Sequence, residues 1–349
     1  MSGRVPGGGP SRPTPAVLLA LLLSACSGGA EERPAPPAPS AEVDEPAAAD
    51  EAHHAMPDPA PARLASAEGT VTVDGAAAEP GQELDAGTVV EVPDGGSASL
   101  AFLHGARVVL EGEARARIQV EGGAQLLLLS GGAHLTQPPA GSSPRPPLRV
   151  ATAAVTVEIP ASGEAFLAAF PAGSAWLAVL SGAAEAQSGE VDRRRRLRTA
   201  RLTAGRAVTI TGEVQPPVAG PVRLVGALET WPLLASVTPP PEPDALRRTL
   251  DRQVERLDQA LRWLEAETGR GRELTAQHRA AVRARAEDAQ ELQERLVDHS
   301  RALYRLRQVV RVRWERVCAR LAHLEALGAP PVDDPVARRT DRVAGLLGF

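Results

Sequence analysis

The sequence predicts a mainly β N-terminal domain, built as a β-sandwich or roll, followed by an α-helical coiled-coil hairpin. The chain is therefore expected to be a multidomain protein with separate β and α parts. Three observations lead to this prediction. Residues 64–212 alternate short apolar runs with Gly-containing turns. Three prolines then stand at 239–241. Beyond them, leucines and valines recur in steps of 3 and 4 residues, which is the spacing of a coiled-coil seam.

The N-terminus carries the features of a secretory signal that ends in a lipid-attachment site. Two arginines precede an apolar run at 16–23, which is shorter than the roughly 20 residues needed to span a bilayer. The sequence that follows resembles the bacterial lipobox at every position: Leu23, Ser24, Ala25 and Cys26. That resemblance implies that the chain is cleaved before Cys26 and that this cysteine is acylated, with palmitate among the attached acyl groups. Since one acyl chain binds membranes only reversibly, a stable anchor needs at least two.

The expected organisation follows the composition along the chain. Residues 1–25 are predicted to be a lipoprotein signal peptide. Residues 26–63 are rich in Pro, Ala and acidic side chains and predict a disordered tether, because they cannot bury enough apolar surface to offset the entropy of ordering. The remaining segments are a β domain, a linker, a helical hairpin and a flexible tail, predicted at 64–215, 216–241, 242–327 and 328–349.

Charge and cysteine content limit the classes of partner. The formal net charge is −5, and all 38 cationic side chains are arginine. This balance does not suggest nucleic-acid binding, so no such partner is expected. Cys26 and Cys318 are the two cysteines. With lipid on Cys26, Cys318 has no partner for a disulfide within the chain.

The β region has strand and turn signals in a regular order. Apolar residues alternate, as in Ala98, Leu100 and Phe102, and Asp-Gly or Gly-Gly pairs separate the runs. Such pairs supply the positive φ angles that tight hairpins require. Because turn signals recur every 8–12 positions, the pattern favours an all-β sandwich or roll over a helical fold.

The same region resembles the periplasmic FecR-like domain through the order of its short motifs. An apolar strand with a Gly opens it, a Leu-Gly-Val step and an Ala-x-Leu strand follow, and a Val-x-Thr element begins a second half. The matching stretches lie at 64–73, 84–90, 97–106, 129–131, 150–155, 163–166, 179–182 and 202–208. His104 and Glu164 depart from the family pattern, where Asp and Thr are usual. The resemblance implies a periplasmic β module that binds a ligand. The family's sigma-factor signalling role is not carried over, because the N-terminus predicts that the chain is exported.

A run of arginines between two strand signals is the candidate anionic-contact loop. Its members are Arg193, Arg194, Arg195 and Arg196, with Arg198 close by. This loop is either a solvated tip or a contact for phosphate or other anionic groups of the cell wall.

Two helical runs are expected after residue 242. Asp244 is a candidate N-cap, and Gly269-Arg270-Gly271 is expected to break the first run, so that a longer second helix folds back along it. The distal half of the second helix would then be uncovered, with Leu306, Val310 and Trp314 as a face for a partner helix. Seven arginines and one acid lie between 301 and 320, and they either form a solvated face or meet an anionic surface or acidic helix.

No motif for catalysis, metal or cofactor binding stands out, so the protein is expected not to be an enzyme and to need no cofactor. Two functions remain open. The first is a lipid-anchored envelope protein of the outer membrane, facing the periplasm, that acts as a scaffold or sensor-like module with a protein partner on its C-terminal helices. The alternative is a lipoprotein that binds cell wall, lipopolysaccharide or another polysaccharide through arginine-rich surfaces.

Overall fold

Sixteen strands and two long helices make up the computed structural model, which describes residues 61–119, 124–141, 145–210, 220–221, 232, 234–235, 243–328 and 343. A large mixed sheet forms the N-terminal part and two helices follow it, as the sequence predicts. The strands are β1 Ala62–Glu68, β2 Thr72–Val73, β3 Ala76–Ala77, β4 Glu83–Leu84, β5 Val89–Glu91, β6 Ser97–Phe102, β7 Arg107–Ile118, β8 Leu126–Thr136, β9 Leu148–Ala151, β10 Thr156–Ile159, β11 Glu164–Ala169, β12 Ala175–Ser181, β13 Ala183–Val191, β14 Leu197–Thr203, β15 Arg206–Ile210 and β16 Gly220–Pro221. The helices are α1 Pro243–Ala284 and α2 Ala289–Ala326.

Strand β8 joins the two halves of the sheet. It pairs with β7 along its whole length, with β9 in parallel at its start and with β11 antiparallel at its end. From β8 the sheet runs through β9, β10 and β13 to β14 in one direction, and through β11, β12 and β15 to β16 in the other. One apolar core receives side chains from every strand between β1 and β15 except the short, exposed β3, so the sheet curls around it as a roll.

Two turns show why glycine is needed where the sequence has it. Asp74 and Gly75, with φ of 50° and 79°, form the two-residue turn between β2 and β3, where both central residues must have positive φ. Gly131 has φ of 83° within β8, and a Cβ there would lie 2.4 Å from the Cα of Ala114. The two longest strands, β7 and β8, therefore approach each other so closely at this point that residue 131 can have only a hydrogen in place of a side chain.

Phe166, on the strand that follows Gly163, is fully buried but lies outside the main core. It belongs to a second apolar cluster on the other face of β11, β12 and β15. Its ring lies 6.2 Å from that of Trp176. Leu234 and Ala235 pack against this cluster, although they lie in the segment predicted to be a linker. Similarly Val343, in the segment predicted to be a flexible tail, is buried in the helical core.

The predicted break at Gly269-Arg270-Gly271 is wrong. Helix α1 continues through these residues to Ala284, and the reversal comes at 285–288, where Arg285 has φ of 50°. The two helices are thus nearly equal in length, at 42 and 38 residues. The glycine has a packing role: a Cβ on Gly271 would lie 2.2 Å from Nε2 of His299 on α2.

The face predicted to await a partner helix is covered within the chain, so the expectation that it is free is also wrong. Leu306, Val310 and Trp314 are buried against the α1 residues Leu246, Leu250, Val254, Leu257, Leu261 and Leu264. Val191 and Leu197, of the β13–β14 hairpin, pack on the same cluster. Because the turn lies at 285–288 and not at 269–271, the apolar face of α1 at 246–264 lies opposite the distal half of α2.

Further along, α2 lies against the sheet. Ala319 and Ala322 pack on Leu127, Leu129 and Ala151 of β8 and β9. The small side chains allow the helix backbone to approach the strands closely. The helical hairpin and the β roll are therefore parts of one compact unit, which extends from Pro57 to Phe349.

Candidate functional site: an arginine turn held against the helices

The basic half of α2 divides into buried and exposed arginines. Arg313, Arg316 and Arg320 are buried, and each donates to a backbone carbonyl of the β region. Nε of Arg313 lies 3.0 Å from the Gly189 oxygen, and Nη2 of Arg320 lies 3.0 Å from the Ala153 oxygen. Burial lowers the pKa of Arg313 and Arg320 to about 10 and that of Arg316 to about 9. These three guanidinium groups fasten the helix and are not a surface for an anionic partner.

The one acid of this stretch, Glu315, is fully buried in a polar joint between α2 and the sheet. Its carboxylate accepts hydrogen bonds from Nη2 of Arg149 at 3.0 Å and from the hydroxyl of Thr156 at 2.9 Å. Arg149 also pairs with Glu158 on the neighbouring strand. Burial raises the pKa of Glu315, and the charge of Arg149 and the Thr156 hydrogen bond oppose that rise. The joint fixes α2 across β9 and β10.

The predicted arginine loop is the turn between β13 and β14, and Asp192 determines its shape. The Asp192 carboxylate accepts from the backbone N–H groups of Arg194 at 2.8 Å and Arg196 at 2.9 Å. The hydrogen bond from Arg196, more than any other contact, lowers the pKa of Asp192. Arg195 occupies the left-handed region, with φ of 56°. The Asp192 carboxylate thus fixes the geometry of the turn through backbone N–H groups. It forms no ion pair with the guanidinium groups of the turn.

An aromatic side chain of α1 holds the turn from below. The guanidinium carbon of Arg195 lies 4.7 Å from the centre of the Trp263 ring, and that of Arg313 lies 5.6 Å from it. Such cation–π contacts stabilise by about 0.5–1 kcal/mol at exposed sites. The role of Trp263 could not be predicted from the sequence, because its position on α1 does not reveal which loop will lie over it.

The turn carries unpaired positive charge. Arg193, Arg194, Arg195 and Arg196 are all exposed. Within the described ranges no acidic side chain forms an ion pair with any of the four, whereas nearby Arg256 is paired with Glu190. The candidate contact loop is thus an exposed cationic surface on a rigid base.

Other predicted sites stand apart from this turn. The lipobox residues Leu23, Ser24 and Ala25 and the anchor Cys26 lie outside the described residues. Cys318 is on the inner side of α2, and burial raises the pKa of its thiol to about 12. In the part of the chain that the structure describes, no helix is both long and apolar enough to cross a membrane. The same part contains no group of three or more His, Cys, Asp or Glu side chains arranged to hold a metal ion.

One cluster of polar side chains has the composition of a hydrolase site but not its order. Nε2 of His134 lies 2.8 Å from Oε1 of Glu164, and the Ser181 hydroxyl donates to Oε2 of the same carboxylate at 3.3 Å. In a catalytic triad the base lies between the nucleophile and the acid. Here the acid lies between the hydroxyl and the histidine, so the histidine does not contact the serine and the order of a triad is absent.

Comparisons with known proteins give a limited result. No protein-family model matches the sequence, and no curated protein matches it. Two crystal structures of a "putative anti-sigma factor" from Parabacteroides distasonis are similar, with 14% sequence identity and TM-scores of 0.31 and 0.33. The similar region spans 39% and 41% of this chain and only 60% and 63% of those chains. At this level the likeness assigns no function to the arginine turn.

Proposed function

We propose that the protein is a lipid-anchored envelope protein of the outer membrane, facing the periplasm, and that its FecR-like β region is a sensor-like or scaffolding binding module. Its arginine turn is the contact, and its target is an anionic group of the envelope, such as the phosphates of lipopolysaccharide or the acidic groups of the cell wall. It performs no catalysis.

The observation that carries this proposal is the contrast between the arginines of the turn and those of α2. The guanidinium groups of Arg313 and Arg316 donate to backbone carbonyls. The turn arginines are exposed, and among the described residues they form no ion pair with an acidic side chain. With the apolar stripe of α2 buried inside the chain, a protein partner on that stripe is no longer supported. The turn therefore supports the polysaccharide-binding alternative better than the helix-partner scaffold.

Changing Cys26 to Ala tests the anchor. Without the sulfur that accepts the lipid, the protein should leave the membrane pellet and collect as unprocessed precursor or in the soluble fraction. Fractionation with detection of the chain by antibody measures this. If the variant still sediments with membranes as processed, lipidated protein, the anchor proposal is wrong.

The contact is tested by Arg193→Gln, Arg194→Gln and Arg196→Gln together. Each arginine near an anionic surface contributes about 1 kcal/mol, so binding to vesicles that contain phosphatidylglycerol should weaken roughly 100-fold. The binding of the wild type should also fall as salt is added, because exposed charges are screened. Co-sedimentation with vesicles measures both effects.

The matched control removes the same kind of charge elsewhere. Arg272, Arg279 and Arg283 are exposed on α1 and outside the turn. Their replacement by Gln changes the net charge equally and should leave vesicle binding close to that of the wild type. Equal losses in both triple variants would show that net charge, not the turn, controls binding, and would overturn the proposed contact.

A further inference from the structure

A cleft of about 280 Å³ lies beside the arginine turn, between α2 and the outer face of the sheet. Its floor is formed by side chains from three adjacent strands, and its wall by one turn of α2. Arg196 belongs to both the cleft and the arginine turn. The lining residues are Glu158, Glu185, Gln187, Arg196, Leu197, Thr199, Tyr304, Arg305 and Gln308.

Strand register explains why these side chains meet. Glu158 lies opposite Glu185, and Gln187 lies opposite Thr199 across the β13–β14 pair. Their sequence neighbours Val157, Ala184 and Ala186 point into the main core, so the lining residues point away from it. The polar floor is therefore a consequence of the period of 2 along each strand.

Gln187 indicates that the cleft receives a ligand. Its side chain is more than nine-tenths buried, and its Oε1 has no hydrogen-bond partner among the described residues. A buried acceptor without a partner costs folding free energy. A turn of the Gln187 amide towards the cleft would let its oxygen accept from an O–H or N–H group of a ligand.

The rest of the lining selects the chemistry of that ligand. Glu158 and Glu185 accept hydrogen bonds, Arg196 and Arg305 donate them, and amide and hydroxyl groups do both. Leu197 and the Tyr304 ring are the large apolar groups of the lining. A lining that offers both acceptors and donors suits a ligand with many hydroxyl groups, because each hydroxyl both donates and accepts.

Tyr304 supplies the flat surface that a sugar ring needs. It is 65% exposed, on a helix whose other large apolar residues are mostly buried. An aromatic ring with a polar tip can pack on the C–H face of a ring while its hydroxyl stays hydrated. The volume of the cleft lies just below the usual range of roughly 300–1,000 Å³ for ligand pockets, which fits a short saccharide.

We propose that this cleft binds one or two sugar rings of an envelope glycan through Gln187, Glu185 and Tyr304. The inference rests on the proposed function for its location, since the arginine turn would contact anionic groups of the same polymer. It deepens that function by assigning the neutral, hydroxyl-rich part of the ligand to a separate set of side chains.

The test is isothermal titration of the full chain with three probes. They are the peptidoglycan disaccharide, a delipidated and dephosphorylated core oligosaccharide of lipopolysaccharide, and a peptidoglycan stem peptide that lacks sugar. Binding of either saccharide supports the proposal and shows which polymer is the source. Binding of the stem peptide alone, or of no probe, overturns it.

Variants then locate the binding. Tyr304→Ala, Glu185→Gln and Gln187→Met should each weaken saccharide binding at least tenfold, whereas Tyr304→Phe, which keeps the ring, should stay within about threefold. Val282→Ala, on the exposed tip of α1, is the control. Thermal melts check folding, and the Tyr304 and Glu185 changes keep the test decisive if Gln187→Met is unstable. Affinity that is equal in all variants overturns the site.

The two proposals fail separately. Because Arg196 also lines the cleft, the variant that separates the two is Arg193→Gln with Arg194→Gln, which should weaken vesicle binding and keep saccharide binding. If saccharide binding holds while vesicle binding is absent in the wild type, the cleft is correct and the anionic contact is wrong. If vesicle binding holds without any saccharide binding, the cleft assignment is wrong and the proposed function remains.

Discussion

At the scale of single residues, His323 shows how a titratable group is used as a structural contact. Its Nδ1 lies 2.9 Å from the Leu129 carbonyl and its Nε2 lies 2.7 Å from the Pro171 carbonyl. A neutral imidazole can donate to one of them only, whereas the charged form could donate to both. Burial nevertheless lowers the pKa of His323, and the neighbouring Arg320 adds to that effect against the pull of the two carbonyls.

The lowered pKa of His323 predicts a loss of stability in acid. An unfolded histidine takes up its proton near pH 6.5, and the folded chain resists this protonation. The contribution is complete above about pH 6.5 and decreases as the pH falls through the lower pKa of the folded state. Urea unfolding at pH 7.5 and pH 5 should show this decrease.

His323→Gln isolates the effect, because the amide can still donate to one carbonyl and does not titrate. The drop in unfolding free energy between pH 7.5 and pH 5 should be smaller in this variant than in the wild type. Equal drops would mean that His323 takes up its proton as easily in the folded chain as in the unfolded one.

At the scale of elements, the helical hairpin depends on two glycines with different roles. Gly271 faces α2, where the His299 ring is fixed by a hydrogen bond of 2.9 Å from its Nδ1 side to Glu267. Gly269 has no atom within 4 Å of where its Cβ would be. Both glycines weaken the helix by about 1 kcal/mol each relative to Ala, but only Gly271 allows a close approach in return.

Alanine substitution should therefore have opposite effects at these two positions. Gly269→Ala should raise the unfolding free energy by up to about 1 kcal/mol, since only helix propensity changes. Gly271→Ala places a Cβ 2.2 Å from Nε2 of His299 and should lower it by about 1–3 kcal/mol through overpacking. Chemical denaturation of the full chain measures both changes. In a His299→Ala background the cost at Gly271 should disappear, and its persistence would contradict the packing role.

Gly269 and Gly271 also show which features of the helical hairpin can be predicted from the sequence and which cannot. Leu250, Val254, Leu257 and Leu261 are buried as their spacing predicts, because the period of apolar residues follows directly from helix geometry, but they pack on the distal half of α2 and not on its first half. The end of α1 was predicted wrongly, since local propensity alone makes Gly-x-Gly a helix break. The glycine at 271 is instead required by the His299 side chain, 28 residues away in the sequence, and no local pattern contains that neighbour.

At the scale of the whole molecule, the β roll and the helices meet through charged side chains. Arg149 on β9 and Glu315 on α2 are both buried at this junction, with Arg313, Arg316 and Arg320 close by on the same helix. The sequence placed these arginines on a helix but could not show that backbone carbonyls of the sheet would receive them. A run of arginines is usually solvated, so its burial is visible only once the strands that supply the carbonyls are in place. The arginine turn, in contrast, was predicted in the correct place between two strands.

We expect the buried pair of Arg149 and Glu315 to determine where α2 packs on the sheet, and to add little to the free energy of unfolding. Burial raises the pKa of Glu315 despite the adjacent Arg149, which means that desolvation outweighs the attraction. Removing one partner leaves the other charge buried. We therefore expect Arg149→Met to lower the unfolding free energy by about 3–5 kcal/mol.

Replacement of both charges should recover most of that loss. In Arg149→Met with Glu315→Leu, neither of the two buried charges remains. Their other partners, Glu158 and Arg311, can turn to solvent because their side chains are 28% and 30% exposed. Denaturation of the two single variants and the double variant gives the coupling energy between the residues. Additive losses would show that the pair does not act as a unit.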